Sequence, residues 1–169
     1  MLFYTTLPSP IGKLNLASDG ESLLRLWIEG QRYFGDPLES PTEQADLPVF
    51  SRTRDWLVRY FAGERPSPQS LPLAPRGSTF RRAVWQCLLE IPYGEVTTYG
   101  VIAKQIADMM GKETMSAQAV GGAVGHNPIS IIIPCHRVIG TNGHLIGYAG
   151  GLSLKQQLLA HEGLHFTQP

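Results

Sequence analysis

Residues 65–75 carry four prolines, at positions 66, 68, 72 and 75, with few apolar side chains to anchor them. Each proline removes a backbone N–H and fixes φ near −65°, so neither a helix nor an inner strand runs through such a stretch. An extended linker is what remains. It splits the chain into residues 1–75, linker included, and residues 76–169, so the fold is expected to be two separately packed bodies.

The first body reads as a small α/β domain. β-like runs at 3–7, 13–18 and 22–28 are separated by Ser9-Pro10-Ile11-Gly12 and Asp19-Gly20, which predicts an antiparallel meander. Residues 35–48, rich in proline and acid, are expected to form a surface loop. Phe50, Thr53, Leu57, Tyr60 and Phe61 then fall on one helical face, with Gly63 placed to end the helix. Aromatic residues clustered there could stack on bases, but on a helix that backs a sheet core packing is the commoner use. No chemistry is evident in this half.

The second body reads as mainly helical. Ser78 or Thr79 can cap a helix whose inward residues are Phe80, Val84, Cys87, Leu88 and Ile91, stopped by Pro92-Tyr93-Gly94. Thr98 can cap a second, with Tyr99, Ile102, Ile106 and Met109 or Met110 inward and Gly111 at its end. A third is expected from about Ser116 to Gly125. The last two, joined by a Gly-containing turn, suggest a helix-turn-helix. The third helix is made almost wholly of small residues, which weakens it intrinsically but lets another backbone approach closely, whether a neighbouring helix or a nucleic-acid groove.

Ile131, Ile132 and Ile133 run straight into Pro134, Cys135, His136 and Arg137. The isoleucines predict a buried strand, and Pro134 ends it where the thiol appears. Cysteine reacts as the thiolate, and a neighbouring base or cation lowers its pKa, so His136 and Arg137 are suitable company for a nucleophile. An isolated cysteine at a strand end would more often be a buried packing residue, as Cys87 is expected to be.

Composition narrows the partners only a little. Net charge is zero, yet residues 1–75 hold seven basic against nine acidic side chains and residues 76–169 seven against five, so the second half is the better candidate for meeting phosphate. No run approaches the roughly 18 apolar residues of a membrane span, and no basic-then-apolar leader opens the chain, so a cytoplasmic protein with two free thiols is expected. Without a CxxC or a Cys/His cluster, a metal site is not expected.

Pro134-Cys135-His136-Arg137-Val138 resembles the active-site motif of the O6-alkylguanine-DNA alkyltransferases. Asn127-Pro128, Gly147-Tyr148-Ala149-Gly150-Gly151 and Leu158-Leu159-Ala160-His161-Glu162-Gly163 stand in that family's order and spacing, and the resemblance is close over residues 76–163. It implies a ribonuclease-H-like N-terminal domain and a C-terminal domain whose helix-turn-helix enters the minor groove of double-stranded DNA. It also implies single-turnover repair, without a cofactor, by a monomer that moves the alkyl group of O6-alkylguanine, and of O4-alkylthymine, onto Cys135.

By the same resemblance, His136 is the base, acting through a water, and Glu162 orients it. Without the motif Glu162 would read as a solvated helix end, where a carboxylate is disfavoured by up to about 1 kcal/mol. Tyr99 donates a proton to the departing guanine, or else merely packs. Asn127 bridges backbone near the nucleophile, or starts an Asn-Pro turn. Tyr148 closes over the base, while Gln118, Ala119 and Gly122 lie on the DNA. Gln118 departs from the family, which usually has an arginine there to fill the space left by the flipped nucleotide. Arg137 is expected to make a structural ion pair or backbone contacts.

Two other classes use related parts. A cysteine hydrolase would share the thiol, base and acid but would need an oxyanion hole and would turn over repeatedly. Alkyltransferase-like proteins bind damaged DNA yet lack this cysteine, so Cys135 speaks against them.

Overall fold

The computed structural model describes residues 1–31, 40–145, 148 and 151–166. Contacts divide the chain into one unit of Met1–Arg76 with Pro128–Ser130 and another of Gly77–Asn127 with the residues from Ile131 onward.

In the first unit, β1 (Phe3–Leu7), β2 (Leu14–Ser18) and β3 (Leu23–Ile28) form the antiparallel meander. The β2–β3 turn is built by Asp19, whose Oδ1 accepts from the backbone N–H of Glu21 at 2.9 Å and of Ser22 at 2.8 Å, with Gly20 at a φ of +105°. The sheet is nevertheless mixed, because β4 (Thr42–Glu43) pairs parallel to β1 within the stretch expected to be loop. Residues 35–39 of that stretch lie outside the described residues. Helix α1 (Pro48–Phe61) begins on a proline, whose missing N–H costs nothing in a first turn, and buries Val49, Phe50, Thr53, Trp56, Leu57 and Tyr60. Trp56 and Tyr60 stack at 5.6 Å within this core, so they are not presented to a base.

The proline-rich stretch is not a free linker. Leu23 N–H donates to Pro72 O at 2.7 Å and Ala74 N–H to Leu23 O at 2.9 Å, while Trp56 Nε1 donates to Ser67 O at 3.0 Å. Farther along β3, Leu26 N–H donates to Pro128 O at 2.9 Å and receives Ser130 N–H on its own carbonyl at 3.1 Å. A proline can still accept through its carbonyl, so both segments cover the outer edge of β3 despite their prolines.

The second unit comprises α2 (Thr79–Leu89), β5 (Thr97–Thr98), α3 (Tyr99–Met109), α4 (Ala117–Gly125), β6 (Val138–Ile139) and α5 (Leu152–His161). Ser78, Thr98 and Ser116 each accept a backbone N–H from the first turn of α2, α3 and α4 respectively. Trp85 of α2 donates from Nε1 to Ala123 O of α4 at 2.8 Å, pinning these helices. Of the residues expected inward on α3, Ile102 and Ile106 are buried, with Ala103 and Ala107 beside them. Met109 and Met110 are 62% and 45% exposed, because the last turn of the helix runs past its packed stretch. Among the described residues no helix is long and apolar enough to cross a membrane.

The strand expected at 131–133 does not form. All three isoleucines are buried as expected, but the backbone turns through them and Ile131 adopts a φ of +71°, which no strand residue has. For a β-branched residue that left-handed conformation costs about 1–2 kcal/mol, so the packing around it has to impose it.

Candidate active site

The chain reaches Cys135 through a tight turn. Pro134 sits at φ −82° and ψ 65° while Cys135 N–H donates to Ile133 O at 2.8 Å, which is an inverse γ-turn centred on the proline. Asn127 Nδ2 donates to the same carbonyl at 2.8 Å, so Asn127 does bridge backbone beside the thiol. Cys135–Arg137 then form a single 3-10 turn, and β6 follows at once, paired parallel to β5 through Thr97↔Val138 and Thr98↔Ile139. Because Tyr99 begins α3 directly after β5, this two-residue ladder ties its helix to the strand that leaves Cys135.

Glu162 caps α5 and is buried. His136 Nε2 lies 2.6 Å from Glu162 Oε2; Arg137 donates from Nε to Oε1 at 2.7 Å and from Nη2 to Oε2 at 3.1 Å. Gly94 N–H adds a fourth bond, to Oε1 at 3.1 Å. Arg137 also donates from Nη1 to Ile91 O at 2.7 Å and lies over the Tyr93 ring at 5.7 Å. The acid at a helix C-terminus is therefore held by a bidentate guanidinium, the strongest partner available to it. Burial pushes the Glu162 carboxyl up, but the bonds and charges of His136 and Arg137 outweigh that and hold it well below the usual range.

His136 is held below its ordinary pKa, chiefly by burial, against the pull of Glu162. The neutral ring donates from Nε2 to the carboxylate, which leaves Nδ1 as the acceptor. Nδ1 is buried and makes no hydrogen bond to a described residue. A proton leaving a nearby thiol can be received there. Burial also raises the Cys135 thiol, opposed by a hydrogen bond from Asn127, by the charge of Lys155 and by Tyr148. Tyr99, half-buried, is pushed up to about 12, first by burial and then by the charge of Cys135, so it holds its proton at neutral pH.

Gln118, Ala119 and Gly122 are exposed on one face of α4, while Val120, Ala123 and Val124 point into the core. A Cβ at Gly122 would meet nothing within 4 Å, so packing does not explain its small size, whereas one at Gly121 would come within 3.9 Å of Tyr99. Tyr148 is half-buried; residues 146, 147, 149 and 150 of its glycine-rich loop lie outside the described residues.

Lys155 was not anticipated. Its side chain is 0% exposed, with Nζ 5.8 Å from the Tyr99 ring centroid. A signal was present, since positions 155, 158, 159 and 162 share one helical face and the other three are Leu158, Leu159 and Glu162.

Residues 2–75 match the ribonuclease-like domain, and residues 79–164 the DNA-binding domain, of 6-O-methylguanine DNA methyltransferase. The chain is 45% identical over 165 residues to the methylated-DNA–protein-cysteine methyltransferase of Haemophilus influenzae, covering 98% of this chain and 88% of that one. It is 47% identical to the protein of that name from Mycobacterium tuberculosis, over 96% and 93% of the two chains. The crystal structure of Mycobacterium tuberculosis OGT in complex with DNA is similar with a TM-score of 0.81 and 45% identity, over 95% of this chain and 92% of that one. With both halves matched in order and relatives similar along almost their whole length, the chain belongs to the 6-O-methylguanine DNA methyltransferase family.

Proposed function

We propose that this protein repairs DNA by moving the alkyl group of O6-alkylguanine, and of O4-alkylthymine, irreversibly onto Cys135, one group per molecule. The observation that carries the reading is a buried thiol on a three-residue turn whose next residue, His136, is bonded at 2.6 Å to a carboxylate. Residues 1–75 serve as the N-terminal domain and linker; residues 76–169 bind DNA and accept the alkyl group.

The Cys135 proton passes to His136 through one water, and Glu162 supports the imidazolium that results. The thiolate attacks the alkyl carbon in line: the S–C bond forms, the C–O6 bond breaks, and the electron pair passes to guanine, which takes a proton from Tyr99. No electrons are gained or lost overall, so the step as written needs no cofactor. Asn127 fixes the backbone behind the sulfur, and Tyr148 closes over the base. A thioether is a poor leaving group, so the product stays alkylated.

The target base must leave the stack to reach Cys135. Helix α4 lies in the minor groove of double-stranded DNA through Gln118, Ala119 and Gly122, with Gln118 filling the vacated space. We take the protein to act as a monomer in the cytoplasm.

Intact-protein mass after incubation with O6-methylguanine DNA tests the reading. One added methyl per molecule is expected, mapped to Cys135 and absent from Cys87, with Cys135→Ser inert. Repeated turnover, or a methyl on Cys87, overturns it.

A further inference from the structure

Glu162 already neutralises Arg137, and the imidazolium that forms on His136 stands a water away from the sulfur, so a Cys135 thiolate gains from a further cation that acts on it directly. Lys155 lies on the same face of α5 as Glu162, seven residues or about 10 Å along the axis. Glu162 fixes one end of that face to the 3-10 turn of Cys135 through His136 and Arg137. The Lys155 end of the face carries a fully buried ammonium over the Tyr99 ring, at 5.8 Å, within reach of a cation–π attraction. Lys155 acts electrostatically on Cys135 and His136 and lies over the Tyr99 ring of α3, while Tyr148 bonds the same sulfur and Glu162 and Arg137 act on His136.

Resting on the alkyl-transfer reading above, we infer that Lys155 is a further residue of this site, whose buried ammonium balances the negative charge as it moves from the Cys135 sulfur to the Tyr99 oxygen. When the S–C bond forms and the C–O6 bond breaks, the sulfur loses its charge and the pair passes to the base. When the base takes the Tyr99 proton, the charge comes to rest on the phenolate, still beside the same cation. Keeping one ammonium next to both ends of this path avoids reorganising solvent in a dry site.

The electrostatics agree. Lys155 is among the groups that lower the Cys135 thiol against its burial, and burial brings Lys155 itself down to about 8, opposed by the Cys135 charge. A lysine held this low is destabilising while charged, because the folded state gives up its proton more readily than the unfolded chain does. It fits poorly as a device for stability.

The test measures alkylation rate between pH 6 and 9.5 with free O6-benzylguanine and with methylated duplex, for wild type, Lys155→Met and Lys155→Arg, alongside melting temperature. Lys155→Met is expected to melt no lower than wild type yet to react at least tenfold more slowly at pH 7.5 with both substrates. The wild-type rate is expected to stop rising with pH at about 8, as Lys155 loses its charge, and Lys155→Arg to carry the rise at least one pH unit further. A Lys155→Met rate within twofold of wild type, with the same pH profile, overturns the inference. If Lys155→Met fails to fold, the Lys155→Arg profile alone decides, and an unmoved limb overturns the inference equally. If wild type gains no alkyl group on Cys135 under any condition, the alkyl-transfer reading itself has failed, which is a separate outcome.

Discussion

The two units bury different chemistry. The buried polar residues of the first are uncharged: Thr5, Ser18, Gln31 and Thr53, with Ser130 from its returning segment. Local bonds hold some of them, as when Thr53 donates to Val49 O at 2.7 Å and Ile28 N–H donates to Gln31 Oε1 at 2.8 Å, while Gln31 Nε2 makes no hydrogen bond to a described residue. The second buries His136, Arg137, Lys155 and Glu162. Burying charge is costly unless it is paired, and replacing such groups by apolar ones often stabilises a fold. One unit is therefore organised for packing, and the other carries electrostatic cost where the proposed reaction takes place.

The largest break of this contrast should come from Glu162→Gln. It leaves Arg137 buried without a carboxylate and should cost about 3–5 kcal/mol in chemical denaturation. Alkylation of free O6-benzylguanine should also slow by at least tenfold while DNA affinity is retained. Wild-type stability and rate in this mutant would remove Glu162 from the site.

Acid should separate the units next. His136 is depressed in the fold, so the unfolded chain binds its proton first, and stability is lost as pH falls below the ordinary histidine value of about 6.5. Glu162 is also depressed, so its contribution is present above about 4.5 and disappears as pH falls further. The first step is at most about 1.4 kcal/mol per pH unit for one proton. Hydrogen exchange, corrected for intrinsic rates, should show α2 and α5 opening more easily at pH 5.5 than at 7.5 while β1–β3 hold. Equal loosening of both would remove the contrast.

A smaller effect sharpens it from the other side. Trp56→Phe removes the bond to Ser67 O, should cost about 1 kcal/mol, and should leave the pH dependence of alkylation unchanged. The smallest effect is expected at Gln118. Arginine is longer, charged and planar, so Gln118→Arg should speed repair of duplex DNA by about fivefold to tenfold, on the order of 1 kcal/mol, without changing reaction with the free base. If duplex repair does not improve, Gln118→Ala decides whether glutamine already acts as the wedge.

Much of the fold could be read directly because the signals are local. The three strands of the meander lie within one residue of their expected bounds, and Ser78, Thr98 and Ser116 cap the helices they precede, since strand alternation and capping depend on neighbours in sequence. Ile131, Ile132 and Ile133 misled for the opposite reason. Three β-branched apolar residues read as strand from their type alone, whereas a turn that buries all three depends on Asn127, Pro134 and surrounding packing. The pairing of residues 72–74 and 128–130 with β3 is likewise tertiary. His136 and Glu162 stand 26 residues apart and were connected through a motif, not through any periodicity. Lys155 went unnoticed because a single lysine on a helix is ordinarily a solvated one.

The covering of β3 bears on how the molecule behaves in company. A second copy approaching this side of the sheet meets two proline-bearing segments already bonded to Leu23 and Leu26, and on the far side a β4 only two residues long. Among the described residues neither offers a continuous row of free N–H and C=O groups on which chains could stack. A protein consumed one molecule per lesion, as we propose, cannot make up for scarcity by working faster and has to be kept in stock. A sheet with little to offer its own kind allows that stock to be held at concentration without its molecules joining edge to edge.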